Sequence, residues 1–178
     1  MKKSIEYILD SVRTTLDSDI DGTDKMIEYL ISSKKIFIYG VGRSGLIAKA
    51  FAIRLVQMGL EVFFVGETVT PIVEEGNLVM IVSYTGETMS AIQTANIVRR
   101  VGAKVITITS NSNSKLAVAS NLVIIIHPEK DEDRRRLAPL GTLFENATLV
   151  YLDSIVVELM ERLGQSEGSM RKRHAIWV

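Results

Sequence analysis

Two short stretches of this 178-residue sequence carry residue types suited to gripping an oxyanion. Gly40-Val41-Gly42-Arg43-Ser44-Gly45 combines three glycines, a serine and a cation, and Ser83-Tyr84-Thr85-Gly86-Glu87-Thr88 sets three small hydroxyls around a glycine. A phosphate monoester demands several hydrogen-bond donors and no steric wall. Glycine backbone, serine and threonine hydroxyls and the free N–H groups of a helix start meet that demand. Ser83, Thr85 and Thr88 suit it best, and the full substrate-binding set reads as Gly42, Arg43, Ser44, Ser83, Tyr84, Thr85, Gly86, Glu87 and Thr88, with the Glu87 carboxylate turned away from the anion. A helix dipole adds roughly 0.3 to 1 kcal/mol per favourable contact, so charge-assisted donors must supply most of the affinity. Taken singly, each glycine can be a tight turn and each hydroxyl a helix cap. Whether the two stretches act together depends on the elements that place them.

Five short apolar, β-rich runs alternate with helical patterns: Ile36 to Tyr39, Val62 to Val65, Leu78 to Val82, Val105 to Thr109 and Leu122 to Ile126. The helical stretches run from Leu46 to Met58 and from Thr88 to Val101, each followed by a glycine where a helix C-terminus favours one. This alternation predicts an α/β fold: one doubly wound, five-stranded parallel sheet of flavodoxin-like order 2-1-3-4-5, both faces covered by helices. Two further helices are expected within residues 1–33, and a long one from Leu143 to about Leu163. In that strand order, strands 1 and 3 are neighbours whose crossovers leave to opposite sides, and a crevice opens between their following loops. Both candidate stretches line it. A dinucleotide site fits less well, because a fingerprint counted from Gly40 needs glycine where Leu46 stands, and the hydroxyl-rich second loop has no task there.

Composition narrows the ligand classes. Twenty-one basic and 21 acidic residues cancel, so no net positive field draws the chain to nucleic acid or anionic membrane. There is no cysteine and there are two histidines, His127 and His174, so neither a thiolate nor an imidazole metal cluster is expected; His127 reads as structural. No apolar run of about 18 residues or secretion-like N-terminus occurs. The expectation is a cytoplasmic single domain over residues 1–178, its tail spanning 164–178, with a small-molecule ligand and no cofactor. The run from Asp131 to Arg136 reads as a solvated loop from which an arginine could reach a ligand, and Thr142-Leu143-Phe144-Glu145 as a capping box.

The motifs Gly42-Arg43-Ser44-Gly45 and Ser83-Tyr84-Thr85-Gly86-Glu87-Thr88 resemble those of the SIS family of phosphosugar-binding domains. Within it the resemblance to the 6-phospho-3-hexuloisomerases spans the whole chain, including Pro139-Leu140-Gly141-Thr142-Leu143-Phe144-Glu145 and the ending Met170-Arg171-Lys172-Arg173-His174-Ala175; Ile176 stands where that family usually has asparagine. The resemblance implies interconversion of 6-phospho-3-hexulose and fructose 6-phosphate, with Glu145 as the base that shuttles the proton through a 2,3-enediol. It implies that His174 transfers protons between the substrate oxygens, and that the protein is a homo-oligomer, a tetramer. Two other readings are a non-catalytic phosphosugar sensor, in which Glu145 only caps its helix, and an isomerase of five- or seven-carbon sugar phosphates. A neighbour-supplied His174 is expected, with a same-chain path as the alternative, because Leu149, Val150, Leu152, Ile155, Val156, Leu159 and Met160 exceed one sheet-facing stripe, and Gly164 and Gly168 loosen the tail.

Overall fold

The computed structural model describes residues 1–17, 19–129 and 131–174. Five parallel strands, β1 (Ile36–Gly40), β2 (Val62–Phe64), β3 (Leu78–Val82), β4 (Lys104–Thr109) and β5 (Leu122–Ile125), form one sheet in the order β2-β1-β3-β4-β5. This is the topology expected from the alternation of apolar runs and helices. All five residues of β3 are buried, as befits a central strand covered on both faces. In the β1–β3 register Gly40 pairs with Val82, so the chain leaves both strands at the same level and the two loops start side by side.

The helices are α1 (Lys2–Leu16), α2 (Thr23–Ser32), α3 (Gly42–Gln57), α4 (Met89–Arg100), α5 (Lys115–Val118), α6 (Arg134–Leu137), α7 (Thr142–Arg162) and α8 (Glu167–Arg171). One layer packs α1, α2, α3 and α7 on the sheet around Met26, Leu30, Ile38, Phe51, Leu55, Met80, Phe144 and Leu152. The other packs α4 and α5 around Phe37, Val79, Ala91, Ala95 and Leu116.

Two sequence expectations change here. Helix α3 starts at Gly42, four residues before Leu46, so Gly42-Arg43-Ser44-Gly45 is its first turn. Gly45 makes this possible: a β-carbon there would collide with the Gly40 carbonyl, so only glycine lets the helix start against the strand end. Most of the apolar surplus of α7 is absorbed within the chain, while Val150 and Val157 stay exposed. Leu152, Ile155, Val156 and Leu159 are buried beneath α1, α2 and α3. A further exposed apolar row lies on α3, where Leu46, Ala50 and Ile53 recur at i, i+4 and i+7.

Candidate active site

Both loops line one pocket of ≈ 220 Å³ bounded by Val41, Ser44, Val82, Ser83, Tyr84, Thr85, Thr88 and Ala91. Whole-ligand pockets typically occupy about 300 to 1,000 Å³, so this one has room for a small group rather than a whole ligand. Thr88 is the N-cap of α4, and its side chain makes no capping bond. Its hydroxyl instead lies 3.3 Å from that of Ser83. The first-turn N–H groups of α4 face this end with no intrahelical acceptors. The loop is held from behind, since the Tyr84 carbonyl accepts from the Thr109 hydroxyl at 3.1 Å and from both the backbone N–H and the hydroxyl of Ser110 at 3.0 Å. Gly86 turns it with φ +68°, and a β-carbon there would run into the Ser114 hydroxyl.

Glu87 faces away from the pocket. Its carboxylate accepts from the Lys115 backbone N–H at 3.0 Å and pairs with the Lys115 ammonium at 3.4 Å. That backbone N–H, followed by the Lys115 side chain, holds the carboxyl below its ordinary range. Glu87 therefore fastens the loop to α5 through its carboxylate. His127 is likewise structural: its Nδ1 meets the Ser110 carbonyl at 2.8 Å.

The other wall comes from the turn into α7. Glu145 is 7 % exposed, and its Oε2 accepts directly from Arg43 Nε, joining the first turns of α3 and α7. The expected capping box does not form. Gly141, not Thr142, is the N-cap, the Thr142 hydroxyl donates to the Pro139 carbonyl at 2.6 Å, and the glutamate side chain leaves its own helix for Arg43. The absence of a side chain at Gly141 shapes this wall: a β-carbon there would sit 2.9 Å from Glu145 Oε1 and 3.6 Å from the Tyr84 ring. The Tyr84 and Phe144 rings lie 5.1 Å apart. The Tyr84 phenol thus belongs to this wall, while its backbone belongs to the loop over residues 83–88.

Arg134 also reaches the site. The solvated loop expected from Asp131 to Arg136 contains the short helix α6, and Arg134 Nη1 donates to the Tyr84 hydroxyl at 3.3 Å and to the Leu140 carbonyl at 3.0 Å. The Asp131 carboxylate accepts the Arg134 backbone N–H at 2.8 Å and fixes where that arginine starts, but no sequence spacing singles it out, because Arg135 and Arg136 also follow an acidic residue by three positions.

His174 is not brought to Glu145 within one chain. It lines a separate pocket with Arg54, Gln57, Asp153, Val156 and Met170. Arg54 is eleven residues beyond Arg43 on α3, and Val156 eleven beyond Glu145 on α7, so the two places are about 16 Å apart along both helices. The tail through His174 does not leave its own chain. Met170 is buried, and Arg173 donates to the Gln57 carbonyl at 3.1 Å and to the Gln165 side chain at 3.0 Å. Ala175 and Ile176 lie outside the described residues. Among the described residues no cluster of three metal-ligating side chains occurs, and no helix is long and apolar enough to cross a membrane.

Comparison with known proteins places this geometry. Residues 29–152 match the SIS domain family model. A 3-hexulose-6-phosphate isomerase of Bacillus subtilis is 35% identical over 182 residues, covering 97% of this chain and 98% of its own. Another 3-hexulose-6-phosphate isomerase, from Methylomonas aminofaciens, is 32% identical over 178 residues, covering 98% of each chain. The crystal structure of a Methanococcus jannaschii protein, from which the function of a 3-hexulose-6-phosphate isomerase was inferred, superposes with a TM-score of 0.84 at 32% identity, covering 98% of this chain and 97% of that one.

Proposed function

The chain belongs to the SIS domain family and is a sugar-phosphate isomerase, and we propose that it interconverts 6-phospho-3-hexulose and fructose 6-phosphate through a 2,3-enediol, with Glu145 moving the proton. One observation carries this reading: a buried carboxylate, aimed by Arg43, stands beside a hydroxyl-lined pocket at the start of two helices. Ser83, Thr85, Thr88 and the α4 N-terminus hold the C6 phosphate, and the sugar extends past Tyr84 toward Gly141 and Glu145. Glu145 takes the proton from C2 of the 3-ketone, the C2–C3 enediol forms, and the same carboxylate returns the proton to C3 from the same face. The hydroxyl hydrogen meanwhile passes from O2 to O3, a transfer suited to an imidazole that titrates near neutrality.

We assign that transfer to His174 of a second copy. The row Leu46, Ala50 and Ile53 is exposed along α3, with Arg43 near one end and Arg54 near the other. Two copies related by a two-fold axis near Ala50 would lay their α3 helices antiparallel and bury this row. Each Glu145 end would then face the partner's His174 end, and closed symmetry makes the exchange reciprocal. A homotetramer acting in the cytoplasm on phosphorylated sugars is consistent with this arrangement. The test is a coupled isomerase assay on enzymatically generated 6-phospho-3-hexulose. Formation of fructose 6-phosphate supports the reading. Turnover only of five- or seven-carbon sugar phosphates would reassign the substrate, and binding without turnover would make the protein a sensor.

A further inference from the structure

Removing a proton beside a carbonyl sends the C–H electron pair into the new C=C bond and the carbonyl π pair onto oxygen. That oxygen becomes an anion, and a buried site needs a donor aimed at it. The donors of the cradle are committed to the phosphate, and Arg43 is engaged by Glu145. Among the described residues one cation at this wall remains. Arg134 is partly buried and makes no ion pair with a carboxylate among the described residues, and only its Nη1 is used there, on Tyr84 and Leu140. Its Nε and Nη2 donors keep their capacity for a substrate oxygen.

The surroundings hold that guanidinium in place. The Asp131 carboxylate accepts the Arg134 backbone N–H and, at 2.7 Å, the Tyr7 hydroxyl from α1, so helix α1 braces the start of α6. Leu140, 86 % exposed, adopts φ 59°, a left-handed conformation that strains a non-glycine residue. Its carbonyl is the one that meets Arg134, and the next residue is Gly141, against which the Glu145 carboxylate packs. One strained turn therefore supplies both an anchor for the guanidinium and the surface beside the base, with the Tyr84 ring between them.

We propose that Arg134 is a catalytic residue whose guanidinium, tethered to the Tyr84 phenol, donates to the carbonyl oxygen that becomes anionic as Glu145 removes the neighbouring proton. This rests on the isomerase reading above. The test compares wild type with R134Q, R134K and Y84F in the isomerase assay, with thermal unfolding and fructose 6-phosphate calorimetry on each. Loss of one oxyanion donor typically costs about 10²- to 10³-fold in kcat, and that loss is expected for R134Q with unfolding and ground-state affinity retained. R134K, which keeps the charge without the fork, and guanidinium ion added to R134Q should each recover part of kcat. Y84F should fall between wild type and R134Q. The proposal is overturned if R134Q keeps kcat within about threefold of wild type, if its loss lies wholly in affinity, or if neither lysine nor guanidinium restores turnover. A wild-type protein that isomerises no sugar phosphate would instead overturn the isomerase reading, so the two failures are distinguishable.

Discussion

The hydroxyl-lined cradle and the Glu145 wall are built by different means. The cradle is local: two strand-to-helix loops, level with each other because Gly40 pairs with Val82, bring small hydroxyls and a helix start to one pocket. The wall is assembled across the chain. Glu145 bonds to a residue 102 positions away and Arg134 to one 50 positions away. On the proposed reading, binding is built into backbone geometry, whereas the chemistry depends on a few long side chains from α3, α6 and α7. Damage to the two regions should accordingly appear in different observables.

The largest expected effect sharpens the contrast at the level of the oligomer. Glu145→Gln and His174→Ala proteins should each lose roughly 10²- to 10⁴-fold in turnover, the typical worth of acid–base assistance. Dissociated, mixed and reassembled, they should regain activity, because some sites then draw Glu145 and His174 from different, intact chains. Hybrids that form but stay inactive would place both groups in one chain. On the cradle side, Ser83→Ala combined with Thr88→Ala should leave kcat nearly unchanged and weaken fructose 6-phosphate binding. Two charge-assisted hydrogen bonds at about 1.5 to 3 kcal/mol each correspond to on the order of 10²-fold or more. Calorimetry showing unchanged affinity would remove these hydroxyls from the cradle.

The same contrast explains what could be read from the sequence. The sheet order follows from runs such as Leu78 to Val82, apolar on both faces, and the cradle follows from residue types whose conformational and hydrogen-bonding properties are local. The capping box at Thr142 and Glu145 was a sound local pattern, but Arg43 outcompetes the helix for the carboxylate. The apolar excess of α7 is real, yet α1, α2 and α3 enclose all but Val150 and Val157, which no periodicity along α7 alone could reveal. Likewise the glycines at 164 and 168 suggest a free tail, while Arg173 fastens it to the end of α3. Each departure is a contact between residues distant in sequence.

Smaller effects probe how the cradle loop is fixed. Gly86→Ala meets both a left-handed φ and the Ser114 hydroxyl, so unfolding should show a loss of more than about 1 kcal/mol. A variant as stable as wild type would mean that the loop can move aside. The smallest effect is that of Glu87. Its carboxyl is held below the ordinary range by the Lys115 N–H, so its contribution is present above about pH 5 and is lost as pH falls through the lowered value. Glu87→Gln should therefore reduce thermal stability slightly at neutral pH and flatten its decline in acid. An unchanged acid profile would remove this strut.

The most direct test of Glu145 as proton carrier is to incubate fructose 6-phosphate with the enzyme in deuterium oxide and follow the C3 proton by NMR. With wild type the C3 signal should fade as deuterium enters through the enediol, and with Glu145→Gln the exchange should slow by at least about 10²-fold although calorimetry still shows the sugar bound. Exchange by Glu145→Gln as fast as wild type would contradict the assignment and leave the buried carboxylate a structural partner of Arg43.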